Sequence, residues 1–334
     1  MGIKNFSKIF AGREIKFKDI KGFSIIIDAS VIAYQSALGM KNINALTDGD
    51  GNPTIHINVV IAKCLNFQKH GINQCWVFDF HEKGYSNPLK AFELERRKKI
   101  KDKAQKTITE LKKENDAMFS SDDDDDGKET IESKIQSQEK IGFSLNDKII
   151  NDIKFILDCF NIAWCESPKG YEAESICASL TNKDRYGDAA FGDLVWTTDT
   201  DAIIYGAKQM VRELKIKQKK TLMLYELDTI LEDNELNMAD LRKIAVVAGC
   251  DHCAKTPKVG AKTILRKFKD IELTDEQTNA AHIFDKSYDI SKLIWHNFDA
   301  GHFAEKGKIN ILLDWLEYKN FNRDRIIKQI SKVV

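Results

Sequence analysis

Residues 23–28, FSIIID, set the architecture. Four apolar side chains around one Ser, closed by Asp28, leave no polar face, so the segment reads as a strand buried on both sides. The pattern returns as CWVF before Asp79 and as LVWTT (194–198) before Asp199, and NIAWC (161–165) is a further short apolar strand. Residues 55–70 (IHINVVIAKCLNFQKH) place apolar residues at helical spacing, as do 145–160 and the stretch from Ala173. Strands alternating with helices predict an α/β fold with a mostly parallel central sheet flanked by helices. Residues 209–216 and 221–226 read as a hairpin, 237–248 as a helix, and 252–268 as a short helix-turn-helix stretch.

The chain has 334 residues, 43% hydrophobic and 31% charged, a globular composition long enough for one large domain or two average ones. The longest apolar stretch is broken by Asp28 and is too short to span a bilayer, which predicts no membrane association. No secretory leader is expected, and Phe6 stands where a myristoylation pattern wants Ser or Thr. Seven Cys at irregular spacing read as reduced thiols and predict an intracellular protein, nuclear or cytoplasmic.

Lys and Arg number 51 against 51 Asp and Glu, but the zero net charge hides a segregation. Residues 90–113 carry +6 on a helix-forming stretch, 114–139 carry −8 including Asp122–Asp126, and 208–220 carry +5. The acidic stretch, with almost no aromatics, is expected to be disordered. The organisation predicted is an N-terminal region at 1–100, an arm at 80–145 with the disordered insert 114–139, an internal region at 145–270, and a helical extension at 271–334.

Carboxylates gather where strands stop and helices start: Asp28, Asp79, Glu172 and Glu174 in GYEAES, Asp199 and Asp201 in TTDTDAIIYG, and Asp251 in AGCDHC. In open α/β sheets, ligands bind outside the carboxyl ends of the strands. So many carboxylates on one spot repel each other unless cations neutralise them. Hard oxygen ligands suit Mg²⁺ or Mn²⁺. The chemistry this predicts is two-metal phosphodiester hydrolysis, with ions roughly 3.5–4 Å apart. Each residue alone also fits a plainer role: Asp28 as a helix N-cap, Glu172 as a partner of a helix dipole. Lys90 and Arg97, two helical turns apart, share one face of the basic stretch. Cys250, His252 and Cys253 form a CDHC cluster, but no second ligand pair supports zinc.

In chain order, MGIKNFSKI, IIIDAS with Tyr34 six residues beyond Asp28, VFD (77–79), LKAFELERR (89–97), GYEAES, TDTDAIIYG and the AGCDHC–VGAKTIL block resemble the flap endonuclease family, the xeroderma pigmentosum G type of structure-specific 5′ nucleases. The resemblance spans roughly residues 1–270. It implies a PIN-like nuclease core with a helical arch and a helix-two-turn-helix DNA-binding element. It implies two Mg²⁺ ions, replaceable by Mn²⁺, on Asp28, Asp79, Glu172, Glu174, Asp199, Asp201 and Asp251. Lys90 and Arg97 would approach the scissile phosphate, Tyr34 would stack on a base, and Gly2, freed of Met1, would lie near the active site. Arg96 and Lys98 would screen a threaded 5′ strand, while Gly260 and Lys262 would touch duplex phosphate. Lys258 stands in place of the first glycine of the family's G-x-G, which counts against its K⁺ site.

The implied activity is Mg²⁺-dependent 5′ flap endonuclease and 5′→3′ exonuclease in DNA replication, repair or recombination. A relative specialised for Holliday junctions or double-strand-break ends is the alternative, and a noncatalytic structure-specific DNA-binding protein a further one. The implied partner is DNA with a 5′ flap, gap or end, bound by a monomer. The family's sliding-clamp motif, Gln-x-x-aliphatic-x-x-aromatic-aromatic, has no match near IIKQISKVV.

Overall fold

The structure is a computed structural model that describes residues 2–38, 47–51, 53–82, 84–118, 125–143, 145–216, 219–298 and 303–333. Eight strands form one sheet: β1 (Arg13–Ile15), β2 (Ser24–Asp28), β3 (Asn73–Phe78), β4 (Ala163–Glu166), β5 (Leu194–Trp196), β6 (Gln209–Ile216), β7 (Lys219–Glu226) and β8 (Trp295–His296). Their order is β1-β7-β6-β5-β2-β3-β4-β8. The five central strands β6, β5, β2, β3 and β4 run parallel, and β7, β1 and β8 close the edges through antiparallel pairs. The α/β class and mostly parallel sheet read from the sequence are therefore what the chain adopts.

The reading of FSIIID has a direct structural cause. Ile26 faces a core formed with helices Ala173–Thr181, Met238–Ala248 and Asp275–Asp285, while Ile25 and Ile27 face a second core with helices Ile55–Lys69, Asp147–Cys159 and Lys306–Tyr318. All three isoleucines have no exposed surface. Alternate side chains enter opposite cores, so every position is apolar. Ile26 lies opposite Cys75 on one side and Val195 on the other. This register brings the carboxyl ends of β2, β3 and β5 to one edge of the sheet, the edge that carries Asp28, Asp79 and Asp199.

Three expectations need correction. Residues 271–334 are not wholly helical, because β8 pairs with β4 as a two-residue edge strand too short to show periodicity. Residues 114–139 are not without structure: one helix runs Ala91–Met118 and a second runs Asp125–Gly142, and the two pack along each other. Composition pointed to disorder, but Ile131 and Ile135 lie one turn apart, and Ala104, Ile108 and Ile131 are buried along this pair. Asp122–Asp124, part of the acidic run, fall outside the described residues. Within 252–268 only Ile264–Lys267 is α-helical; the preceding helix of the motif is Met238–Ala248, capped by the Asn237 side chain on the Asp240 N–H.

Candidate active site

The site is built at the carboxyl edge of the parallel strands, where backbone turns rather than long side chains deliver the acids. Asp28 ends β2 and caps the helix Ala29–Leu38: Oδ1 accepts from the Val31 N–H at 3.2 Å and Oδ2 from the Thr197 hydroxyl at 3.2 Å. The capping and the site roles thus fall on the same residue. Asp79 follows β3 and accepts from the Ser30 hydroxyl at 3.2 Å and the Ala173 N–H at 3.1 Å. Glu172 is the N-cap residue of helix Ala173–Thr181, and Glu174 sits in its first turn. Asp199 and Asp201 lie on the turn out of the sheet. The chain turns after β5, and Asp199 accepts the Asp201 N–H at 3.1 Å as the short helix Asp201–Ile204 begins.

The N-terminus is stitched to this edge. The Ile3 N–H bonds the Thr200 hydroxyl at 2.8 Å and the Lys4 N–H bonds the Gly249 carbonyl at 3.0 Å. Gly2 has φ +76°, and a Cβ there would fall 2.3 Å from Asp199 Oδ1. Only glycine fits both the left-handed backbone and the contact.

Lys90 ends a short 3₁₀ turn, Pro88–Lys90, at the base of the long helix. Its ammonium lies 2.9 and 3.0 Å from the two Asp79 oxygens, 3.7 Å from Glu172 and 3.8 Å from Glu174. Arg97 lines the same cleft of about 300 Å³, beside Asp79, Glu172, Asp199 and Asp251. Its guanidinium bonds Glu93 and lies 5.6 Å from the centre of the Tyr34 ring. Tyr34 in turn packs edge-on against Phe143 at 6.0 Å. Arg96 bonds Glu93 and lies 3.5 Å from Asp251, so it stands nearer the carboxylates than a strand-screening role implies.

Electrostatics record the crowding. Burial pushes Asp28 up, and the Asp79 and Asp199 charges add to this, to about 7. Asp199 rises to about 6 through burial and Asp251. Asp201 goes well above the carboxylate range through burial and Asp199, and Glu174 does so through burial with Asp28 and Asp79, against the pull of Lys90. Glu172 is the exception. Burial disfavours its charge, but Lys90, His252 and Tyr205 hold it down at about 2. Lys90 shows the reverse balance: burial disfavours its charge, and Asp79, Glu174 and Glu172 lift its pKa well above the ordinary lysine value.

Among the described residues, no three His, Cys, Asp or Glu side chains stand close enough together to hold a metal as arranged. The Lys90 ammonium lies among three of the carboxylates and partly neutralises them. Two buried acceptors nevertheless lack hydrogen-bond partners, Glu174 Oε2 and Asp201 Oδ1. Orphaned hard oxygens in a crowded anionic cleft are what a divalent cation would satisfy.

The other sequence-predicted residues lie away from this cleft. Lys98 is exposed on the long helix. Gly260 and Lys262 are exposed in the loop before Ile264–Lys267, where the Gly260 N–H donates to the Thr263 hydroxyl at 3.3 Å. Lys258 adopts φ +62°, the left-handed region that a glycine would favour. In the basic hairpin, Lys208 is paired with Asp184 and Asp228, and Lys220 with Glu213.

Sequence reasoning missed Glu93, Tyr205 and the role of His252. Tyr205 donates to Glu172 Oε2 at 2.5 Å, and His252 Nε2 lies 3.2 Å from the same oxygen. Burial disfavours the His252 imidazolium, but Glu172 reverses this and raises it to about 9. The Cys250 and Cys253 sulfurs lie 3.6 Å apart while the His252 ring faces Glu172, so CDHC does not converge as a ligand set. Only the four-residue spacing of Glu93 to Arg97 could have signalled Glu93.

Comparison with known proteins agrees with this geometry. The XPG N-terminal domain matches residues 1–104 and the XPG I-region matches residues 161–251. The chain is 29% identical over 359 residues to flap endonuclease 1 of Leishmania braziliensis, covering 100% of this chain and 84% of that protein. It is 27% identical over 363 residues to flap endonuclease 1 of Zea mays, covering 100% and 86%. Its fold is similar to flap endonuclease-1 from Methanococcus jannaschii, with a TM-score of 0.68 at 24% identity over 98% and 97% of the two chains. The catalytic core of Rad2 in complex with DNA substrate shares the fold at a TM-score of 0.66 and 15% identity, over 100% of both chains. The two matched regions span more than half of the chain and contain every strand-end carboxylate of the cleft, so the protein belongs to the XPG, or flap endonuclease, family.

Proposed function

We propose that this chain is a Mg²⁺-dependent structure-specific 5′ nuclease that hydrolyses DNA phosphodiesters, with the 5′ flap as its preferred substrate and 5′→3′ exonuclease as a second activity. The observation that carries the reading is that Asp79, Glu172, Glu174, Asp199, Asp201 and Asp251 line one cleft together with Lys90 and Arg97, with Asp28 buried behind them within reach of the Asp79 and Asp199 charges. Similarity along the whole of this chain to proteins named flap endonuclease 1 supports the substrate class.

Two Mg²⁺ ions, or Mn²⁺ in their place, would supply Lewis acidity toward the attacking water and the leaving oxygen. The seven carboxylates are the candidate ligands, with Glu174 Oε2 and Asp201 Oδ1, which accept no hydrogen bond, as the acceptors most in need of a cation. Lys90 is the movable partner: its flexible stem lets the ammonium leave Asp79 for the non-bridging oxygens of the scissile phosphate. Arg97, held in place by Glu93, offers a fixed planar donor to the same group. Tyr34, with the guanidinium near its ring, presents an aromatic surface on which a base beside the cleavage point stacks.

Around the cleft, Gly2 lets the backbone approach the substrate. Lys98 screens the 5′ strand where it passes the paired arm helices, while Arg96, 3.5 Å from Asp251, meets that strand at the edge of the cleft. Gly260 and Lys262 contact duplex phosphate, with the Lys258 ammonium serving that anchor without potassium. The protein acts as a monomer in DNA replication, repair or recombination. No helix among the described residues is long and apolar enough to cross a membrane.

The test is a panel of end-labelled flap, gapped, nicked, blunt and four-way DNA substrates with Mg²⁺. Faster cutting of the 5′ flap than of every other substrate is expected. A junction preference would overturn the flap assignment, and no product in Mg²⁺ or Mn²⁺ would overturn catalysis.

A further inference from the structure

One of the seven carboxylates is held differently from the rest. Glu172 Oε2 receives the Tyr205 hydroxyl at 2.5 Å and faces His252 Nε2 at 3.2 Å, while its other oxygen, Oε1, lies 3.7 Å from the Lys90 ammonium. The Tyr205 hydrogen bond and the His252 ion pair both fall on Oε2, which leaves Oε1 as the oxygen facing Lys90. His252 is almost fully buried, with 1% of its side chain exposed. Its Nδ1 lies 3.1 Å from the Leu89 carbonyl. A carbonyl only accepts, so Nδ1 carries a proton and donates to it. Leu89 is the middle residue of the 3₁₀ turn that ends in Lys90. Phe284 packs edge-on against both rings, at 5.0 Å from Tyr205 and 5.1 Å from His252, and fixes their planes. His252 therefore spans two things that have to be in register for cleavage: a carboxylate of the floor and the turn that carries the phosphate-directed lysine.

We propose that His252 and Tyr205 are positioning residues that clamp Glu172 with one oxygen turned toward the metal-binding space, and that His252 alone also sets the Leu89–Lys90 turn against that carboxylate. The proposal rests on the reading of the cleft as a divalent-metal nuclease site and extends it to two residues that touch neither phosphate nor metal. Partners that orient a ligating carboxylate typically change metal affinity or activity by 10–100-fold when removed.

The probe is Mn²⁺ alone, titrated into the full chain without DNA and followed by the electron paramagnetic resonance of the free ion. Tyr205→Phe removes one hydroxyl without changing the packing, and about tenfold weaker Mn²⁺ binding is expected. His252→Phe keeps a ring against Phe284 but loses both nitrogens, and should weaken Mn²⁺ binding by 10–100-fold. His252→Gln retains one N–H for Glu172 and should recover a large part of that loss. Metal-free flap-DNA affinity should stay within about twofold for all three, which a general loss of structure would not allow. At saturating Mn²⁺, His252→Phe should still cleave in a single turnover more slowly than Tyr205→Phe, because only His252 also holds the Lys90 turn. Wild-type Mn²⁺ affinity in both Tyr205→Phe and His252→Phe would overturn the proposal. So would a fall in metal-free DNA binding as large as the fall in Mn²⁺ binding. If the wild type binds Mn²⁺ but cuts no DNA, the nuclease reading fails while the Mn²⁺ shifts still decide the clamp. If it binds no Mn²⁺, both fall together.

Discussion

Acidic residues occupy two contrasting settings in this chain. At the carboxyl edge of the sheet, Asp28, Glu172, Glu174, Asp199 and Asp201 are each less than 9% exposed and sit within reach of one another's charge. Along the arm, residues 114–139 hold ten Asp and Glu, and Glu132 stands exposed on the helix Asp125–Gly142. Water screens Glu114 and Glu132, both exposed, so their charges cost the fold little. The first set sits where turns and backbone N–H donors place it, its mutual repulsion only partly offset by Lys90.

Neutralising acids in each set gives the largest expected difference between them. Asp199→Asn should reduce Mg²⁺-dependent flap cleavage by more than about 100-fold. The same change should raise the melting temperature of the metal-free protein at pH 8, since one buried repelling charge is gone. Normal cutting, or a lower melting temperature, would contradict the account. Replacing Asp122–Asp126 by Asn should leave cleavage within about twofold and stability within about 0.5 kcal/mol. Lys90→Ala is the mirror image. Cleavage should fall by about 100-fold, but metal-free stability should fall as well, because Asp79, Glu172 and Glu174 lose the cation they share.

Much of this was legible because the signals were local. FSIIID, CWVF and LVWTT announced buried parallel strands, and each ended on the acid that the turn delivers to the site. What was missed depends on partners far apart in sequence. Tyr205 meets Glu172 through the packing of helix Ala173–Thr181 against Asp201–Ile204, and His252 reaches it from the loop after Met238–Ala248; nothing in GYEAES signals either partner. The helix Asp125–Gly142 was hidden by its composition, which outweighed the Ile131–Ile135 seam. The two-residue strand β8 gains its identity from β4 rather than from its own residues.

A smaller effect follows from pH. A carboxyl that is harder to ionise in the folded chain than in the unfolded one binds its proton more tightly when folded. It therefore favours folding below its unfolded pKa near 4, and that contribution is lost as pH rises through the folded pKa. With Asp199 at about 6 and Asp28 at about 7, the metal-free melting temperature should fall between about pH 5 and pH 8. Glu172, held at about 2, does not titrate in that window. Excess Mg²⁺ should flatten the decline, and a thermal melt with and without Mg²⁺ at each pH checks both statements. The smallest effect is expected at the duplex anchor: Lys258→Ala should lower the slope of log affinity against log salt by about one charge without changing which substrate is cut.

The most direct test of the claim that the cleft is a carboxylate cluster kept for cations is calorimetry of Mg²⁺ binding at pH 6.5 in two buffers of different ionisation enthalpy. Buried carboxyls that rise to about 6 and about 7 without metal must give up protons when a cation binds. The account predicts net proton release, reduced in Asp28→Asn. Mg²⁺ binding with no proton release, or no binding at all, would contradict it.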